Sequence, residues 1–393
     1  MSTITVQQLA GDEHLDILAE FAGYAFGPSP PLPDSHIVKR HATWYDESMV
    51  LAAYRDDEPL AIAVATPMTQ HVRGLIVPMA GIRMVTTHPA ARRQGLVRIL
   101  LTRLFSMMRD RGIVVSTLYP FRESFYERFG YVRFPKPRIV TFSPVPLQPL
   151  LHLNLEGQVS RMPIREGFAY YWDCLQRQQQ QTHGMALTSE KAALAIKDTN
   201  DVWLAWARVA DTPVGAMIYR IVGTTEQHRM IVQRFHALDI RGRYLLLEWF
   251  ARHIDQINEI EVQLPAFERP ETWTADLDIR LSTCLGPMGR VIDIARLNGI
   301  ACGPGQFTAQ IRDEYCPWNE GSYAFECIDG RLHIQRVQQA ACILTIQAIS
   351  SLIYGTHEPA MFAMRGWGCP DAALQSTMTS MFPLMQPYLH ESF

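Results

Sequence analysis

Met84-Val-Thr-Thr-His-Pro-Ala-Ala-Arg-Arg-Gln-Gly-Leu-Val-Arg98 is the stretch that decides the fold. A β-branched run ends at Pro89, a basic turn containing Arg92, Arg93 and Gly95 follows, and Leu96 opens an amphipathic pattern that continues to Arg111. The stretch therefore reads as strand, turn, helix. The first amides of a helix have no intrahelical acceptor and carry partial positive charge, so a pyrophosphate fits there. Gly95 lets the backbone come close to such a ligand, and the arginines add charge and directional donors. Read alone, the same turn also suits an ordinary solvated connection.

Working outward, Leu15–Gly27 has helical spacing and stops before the prolines at Pro28, Pro30, Pro31 and Pro33, which open a loop. Met49–Arg55, Glu58–Pro67, His71–Pro78 and Ala80–His88 read as strands. Gly112 ends the helix, Ile113–Tyr119 is a compact apolar strand, Tyr126 sits on a short helical turn, and Tyr131–Thr141 is a further strand. This is a mixed α/β domain, bounded near 145 by Pro144, Pro146 and Pro149. From 146 to 285 the order of strands, helix and strand repeats: Gly157–Pro163, a helix at Phe168–Gln181 whose Gln178–Gln181 run reads as a solvated end, then Val202–Val209, Val214–Val222 and Met230–Ile240, a helix at Tyr244–Gln256, and Glu259–Leu264. From 286 to 393 short strands at Phe307–Asp313, Gly321–Ile328 and Leu332–Arg336 precede two helices, Ala341–Tyr354 and Pro370–Phe382. The fold class is α+β (mixed α/β) in three segments, 1–145, 146–285 and 286–393.

Composition narrows the function. The 393 residues are 48% apolar and 19% charged, with a formal net charge of −3. That excludes a global basic field for nucleic acid or an anionic membrane. Seven cysteines without a CxxC pair suit reduced thiols rather than a disulfide framework or a zinc site. Met1–Gly11 lacks the pattern of a secretory signal, and the longest apolar stretch, Ala340–Tyr354, is too short to span a bilayer. The expectation is a cytoplasmic protein with no metal. His71, His88 and His236 form no recognisable metal set.

Two motifs about 30 residues apart carry a resemblance. Arg92, Gly95 and Val97 follow the Arg/Gln-x-x-Gly-x-Gly/Ala motif of the Gcn5-related N-acetyltransferase (GNAT) superfamily, with Val97 where a small residue is usual. Pro89, Arg92, Arg93, Gly95 and Leu96, together with Phe125-Tyr126-Glu127-Arg128-Phe129-Gly130-Tyr131, resemble the enhanced intracellular survival (Eis-like) family of these enzymes. Met288-Gly289-Arg290-Val291-Ile292-Asp293, Asp313, Trp318-Asn319-Glu320-Gly321 and the terminal Phe393 resemble its last domain, which is similar to sterol carrier proteins. The resemblance implies tandem GNAT domains followed by a sterol-carrier-like domain. The second copy has Ile240-Arg241-Gly242-Arg243 where the cofactor loop would fall, so it is expected to be degenerate and inactive.

The co-substrate implied is acetyl-coenzyme A. Val85, Thr86 and Thr87 would hold its pantetheine arm as an added strand does. Arg92, Arg93, Gln94, Gly95, Leu96, Val97 and Arg98 would cover the pyrophosphate, with Phe121 and Arg122 opposite. By resemblance Tyr126 is the general acid, since a phenol keeps its proton at neutral pH. The general base is the C-terminal carboxylate of Phe393, with His390 and Glu391 as neighbouring alternatives. Phe129 and Tyr131 read as core. Family members acetylate polycationic amines, notably aminoglycosides, and the loop with Phe26, Pro28 and Asp34 is a candidate lining for that pocket. Competing readings are a protein or peptide amine acetyltransferase, and a non-enzymatic lipid- or partner-binding protein centred on 286–393. The family also implies a homo-oligomer, a hexamer.

Overall fold

The computed structural model describes residues 4–10, 13–27, 45, 47–194, 202–224 and 227–391. Two units emerge: Met1–Phe134 with His183–Ala192 and Pro287–Phe393, and Pro135–Thr182 with Ala193–Gly286. In the first, six strands, β1 (Ile4–Leu9), β2 (Met49–Arg55), β3 (Glu58–Val72), β4 (Leu75–Thr87), β5 (Val115–Leu118) and β6 (Val132–Arg133), belong to one eight-stranded sheet. Met288–Val291 is inserted between β5 and β6, and Ala186–Leu187 pairs with β3. The β4–β5 pair is parallel; the other neighbours are antiparallel.

Where the sequence suggested three strands between 58 and 88, there are two long ones. Pro67 and Pro78 are absorbed into the hairpin ladder. The reversal is made instead by Arg73 and Gly74, both at positive φ (41° and 83°), the arrangement that matches the twist of a two-residue hairpin. The stretch expected as one strand at Tyr131–Thr141 is also divided. Pro135 and Pro137 interrupt it, so Val132–Arg133 stays in the first sheet while Arg138–Phe142 joins the second unit's sheet. A proline has no N–H to give a ladder.

The helix Leu96–Asp110 has no internal Gly or Pro and buries Leu96, Leu100, Leu101, Leu104, Phe105 and Met108 on one face. That spacing is a single apolar stripe. It packs on Leu51, Ala63 and Ile82 of the sheet and stops at Gly112, whose φ is 73°. The other end of the sheet shares its core with the C-terminal segment: Val72, Val77, Met79 and Val114 pack with Phe307, Phe325, Leu344, Ile349 and Trp367. That segment carries a four-stranded sheet in the order Arg331–Arg336, Gly321–Ile328, Gln306–Arg312, Cys342–Thr345. The expected helix over Ala341–Tyr354 is a strand for its first part, because Cys342–Thr345 pairs in parallel with Ala309–Arg312. The helix proper is Ile346–Tyr354.

The second unit repeats the topology of the first. Gln158–Pro163, Trp203–Val209, Thr212–Thr224 and Gln227–Ala237 form an antiparallel run; Glu259–Leu264 then pairs in parallel, and Arg138–Phe142 antiparallel, in the place that Met288–Val291 holds in the first sheet. The helices Ile164–Gln179 and Ile240–Ala251 fall at the same points in the order as Glu13–Phe26 and Leu96–Asp110. Gln178 and Gln179 are buried rather than solvated, and Gln178 Oε1 meets His236 Nδ1 at 2.6 Å. Among the described residues no helix is long and apolar enough to cross a membrane.

Candidate active site

Two irregularities in β4 open the sheet. β5 pairs with Met79–Ile82 only, so Met84–Thr87 has no ladder partner on that side among the described residues. Opposite β3, Ile62 faces Thr86 whereas Val64 faces Arg83, so one extra residue is accommodated in β4, with Met84 at φ 54°. A bulge of this kind twists and bends its strand. The outcome is a backbone edge, Met84–Thr87, open to pairing by an extended ligand.

The chain leaves β4 through a short 3-10 turn, Pro89–Ala91, capped by His88 Nδ1 accepting from Ala90 N–H (3.3 Å). Arg93 (φ 63°) and Gly95 (φ 82°) then adopt left-handed conformations. Gln94 clamps the turn: its Nε2 donates to Ala90 O (3.1 Å) and its Oε1 accepts from Arg55 Nη2 (2.6 Å). Gly95 is the N-cap, and the first helical bond runs from Ile99 N–H to Gly95 O (3.2 Å). The amides of Leu96, Val97 and Arg98 therefore have no intrahelical acceptor, and no side chain caps them. A cleft of about 700 Å³ lies against them, lined by Thr87, Ala91, Arg93 to Arg98, Phe125, Arg128, Phe129 and Tyr315. Three of these are arginines and none is an acid. The donor set suits a polyanion. A Cβ built on Gly95 would meet nothing nearer than Arg98 Nη2 at 3.6 Å, so protein does not fill that space.

Tyr126 sits on the short helix Glu123–Glu127, just beyond β5. The turn after the helix closes at Gly130 (φ 89°), where a Cβ would press within 2.7 Å of Ile346 Cγ2; only glycine suits that turn. Tyr126 is 3% exposed, its ring held edge-on by Phe121, Phe125 and Tyr131 at 5.7, 5.0 and 6.1 Å. No hydrogen bond to its hydroxyl is found among the described residues, whereas Tyr131 Oη is engaged with Ser116 Oγ (2.8 Å). Burial pushes the Tyr126 phenol well above the ordinary tyrosine value, so it stays protonated across the neutral range.

The C-terminal tail reaches the same end of β5. The Tyr119 hydroxyl lies 3.4 Å from Leu389 O and 3.1 Å from Glu391 O. Upstream, Tyr388 N–H donates to His183 O (2.9 Å) and Met385 N–H to Gly355 O (2.8 Å). Arg73, buried in the β3–β4 turn, donates to Pro383 O (2.9 Å) and also to Ile353 O and Leu352 O (2.7 and 2.8 Å).

Of the residues singled out from sequence, Thr87, Arg93, Gln94, Gly95, Leu96, Val97 and Arg98 line the cleft. Val85 and Thr86 lie on the free edge of β4 without lining it, and Arg92 is exposed at the turn. Arg122 is exposed at the start of the Tyr126 helix; Phe121, 70% exposed, packs on the Tyr126 ring instead of the cleft. Phe393 lies outside the described residues, as do Pro28 and Asp34, while Phe26 is exposed. Phe125, Arg128 and Tyr315 were missed. The first two lie within the quoted aromatic string. Tyr315 has no local signal, because its place depends on a long-range contact. Phe129, read as core, is buried and also lines the cleft.

Residues 7–134 match the acetyltransferase (GNAT) domain family, and residues 297–390 the sterol carrier protein domain family. A GCN5-related N-acetyltransferase from Anabaena variabilis superposes with a TM-score of 0.87 at 17% identity, over 100% of both chains. A probable N-acyltransferase from Enterococcus faecalis gives 0.87 at 18% identity, again over 100% of both. Eis1 from Mycobacterium abscessus gives 0.81 at 17% identity, over 99% of this chain and 100% of that one. No curated protein matches in sequence. The chain thus has an acetyltransferase domain of the GNAT type, a sterol carrier protein domain, and an Eis-like fold throughout.

Proposed function

We propose that this chain, an N-acetyltransferase by its GNAT domain, transfers the acetyl group of acetyl-coenzyme A directly to an amine in a ternary complex, and that the acceptor is a polycationic, aminoglycoside-like small molecule. The observation that carries the reading is the β4 edge, Met84–Thr87, left without a ladder partner on the β5 side, followed directly by the basic, uncapped helix N-terminus, with Tyr126 on the short helix just beyond β5. Bound acetyl-coenzyme A supplies the activated thioester. Val85, Thr86 and Thr87 orient its arm by main-chain pairing, and their amides polarise the acyl carbonyl. Arg92 and Arg93 to Arg98 hold the pyrophosphate with charge and backbone donors, with Phe121 and Arg122 opposite. Tyr126 gives its proton to the departing sulfur.

The base is the carboxylate of Phe393. What supports it is the fixed path of the preceding residues, anchored at Pro383, Met385 and Tyr388 and reaching Tyr119 by Glu391. A docked tail and a buried hydrophobic cluster around Phe307, Phe325 and Trp367 support the enzyme reading over a lipid carrier. Functionally we assign catalysis to 1–145, a degenerate acetyltransferase copy to 146–285, and the tail-delivering domain to 286–393, acting in a cytoplasmic homohexamer; these assignments rest on the family resemblance.

The test is release of coenzyme A thiol with a panel of aminoglycosides and polyamines, on untagged protein, Tyr126→Phe, and a chain lacking Phe393. We expect amine-dependent release that falls about 10²-fold or more in Tyr126→Phe, with acetyl-coenzyme A affinity unchanged, and that is crippled without Phe393. Full activity in either variant would remove the corresponding residue from the mechanism.

A further inference from the structure

The cleft does not end at the pyrophosphate turn. Besides Thr87 and the turn, its lining includes Arg98 on the first helical turn, Phe125 on the Tyr126 helix, Arg128 and Phe129 just after it, and Tyr315 from the C-terminal segment. Tyr315 lies inside the stretch that matches the sterol carrier protein domain. The Phe129 and Tyr315 rings are 4.7 Å apart. Arg128 lies over Phe125 (4.3 Å to the ring centroid), and its Nε donates to Phe125 O (3.0 Å), a bond that does not use the two outer guanidinium nitrogens. Among the described residues neither Arg98 nor Arg128 has a carboxylate partner. Burial and Glu314 push the Tyr315 phenol up, against the pull of the Arg98 and Arg128 charges.

Both walls are tied to one buried guanidinium. Arg290 donates to Phe129 O and, at 2.7 Å, to Asp313 Oδ2. Asp313 Oδ1 in turn accepts from Tyr315 N–H (3.3 Å) and Cys316 N–H (3.2 Å). Arg290 and Asp313 are fully buried. The spacing between the Phe129 and Tyr315 walls is therefore set by the core and is not a property of surface loops.

We propose that this outer end of the cleft is a subsite for the adenosine 3′-phosphate end of acetyl-coenzyme A, with Arg98 and Arg128 taking the phosphate and the Tyr315 ring the adenine. The sterol-carrier-type domain thus completes the cofactor site of the acetyltransferase domain. The inference rests on the acetyl-coenzyme A reading above. With the thioester directed to Tyr126 and the pyrophosphate on the Leu96–Asp110 N-terminus, the part of the cleft lining left for the nucleoside is Phe125, Arg128, Phe129 and Tyr315. The chemistry there matches it: guanidinium for a phosphate dianion, and an aromatic face for a purine.

The experiment is calorimetric titration of coenzyme A and 3′-dephospho-coenzyme A into the full chain, into Arg128→Gln, Tyr315→Ala and Tyr315→Phe, with thermal melts to check folding. The wild type is expected to bind coenzyme A about tenfold or more tightly than the dephospho compound. In Arg128→Gln that preference should shrink to roughly threefold or less. Tyr315→Ala should weaken both ligands about tenfold, and Tyr315→Phe should keep nearly wild-type affinity, because the ring and not the hydroxyl does the stacking. Equal binding of the two ligands by the wild type, or wild-type affinity in Tyr315→Ala, overturns the subsite while leaving the acetyltransferase reading intact. No binding of either ligand to the wild type overturns both.

Discussion

Replacing Gly95 by alanine separates a glycine kept for a ligand from one kept for packing. Gly95 sits at φ 82°, a region that costs an L-residue roughly 1–2 kcal/mol. The added methyl would meet no backbone, its nearest neighbour being the mobile end of Arg98 at 3.6 Å. The expected stability loss is therefore only that backbone strain, about 1–2 kcal/mol, or a few degrees in the first unit's melting temperature. The methyl does occupy the cleft beside the uncapped amides of Leu96 and Val97. If it displaces the pyrophosphate from one charge-assisted donor, the loss is roughly 1.5–3 kcal/mol, about a 10- to 150-fold weaker Kd. Calorimetry with coenzyme A, paired with thermal melts, reads both numbers. A variant that melts slightly earlier yet binds within twofold of wild type would refute the cofactor role of this turn. Gly242, in the second unit's helix, is the control: a Cβ there would run into the Val214 carbonyl oxygen, so Gly242→Ala should unfold that unit first, without touching cofactor affinity.

Two other consequences follow from the groups that hold the tail. Arg73 has three carbonyl acceptors, and burial brings its pKa down to about 10, still charged at neutral pH; Arg73→Met should cost roughly 3 kcal/mol or more and lower kcat through a misplaced tail, with coenzyme A affinity unchanged, and wild-type kcat would show that the tail needs no such anchor. His183 accepts from Arg73 N–H at Nδ1 (3.2 Å) and bonds Tyr354 O through Nε2 (3.1 Å), a pattern that needs a neutral ring, and burial followed by the Arg73 charge pushes its pKa down to about 3. Because the folded value lies below the unfolded one near 6.5, the unfolded chain binds the extra proton; this group's contribution is complete above pH 6.5 and is lost as pH falls toward 3. That predicts about 2 kcal/mol less stability at pH 5 than at pH 7 from this group. Urea unfolding of His183→Gln, whose amide can replace both bonds, should show a correspondingly flatter pH dependence, and an unchanged slope would refute the assignment.

What was legible in the sequence is what depends on near neighbours. The stripe from Leu96 to Met108, the glycines at 95 and 112, and the aromatic string around Tyr126 each carry their geometry within a few residues, so the helix, its open N-terminus and the candidate acid could be placed. The misreadings have one cause as well. Pro67 and Pro78 look like strand ends, and Ile343 with its neighbours looks like a helix start, until partner strands are known. Tertiary pairing overrides local propensity in such cases. Met288–Val291 reads as the start of a third segment, yet it completes the first sheet between β5 and β6. No pattern within four residues could report that. Tyr315 is hidden for the same reason: it reaches the cleft through Arg290 and Asp313, 23 residues apart in the chain.

The repeated topology of the two units makes the local chemistry of each helix start more informative than the fold. In the first unit the N-cap is Gly95, without a side chain, and the amides face a basic cleft. In the second the N-cap is Asp239, whose Oδ1 accepts from Gly242 N–H (2.9 Å) and whose Oδ2 is held by Arg241 (2.6 Å). A carboxylate already satisfies the donors that would otherwise receive a phosphate, and its negative charge repels one. Arg243, in the same turn, is paired with Glu268 at 2.7 Å. Charge and backbone that the first copy leaves available are consumed internally in the second. The same strand order therefore leaves an uncapped helix start beside a basic cleft in one unit and a self-capped helix in the other, which supports the proposal that acetyl transfer belongs to the first.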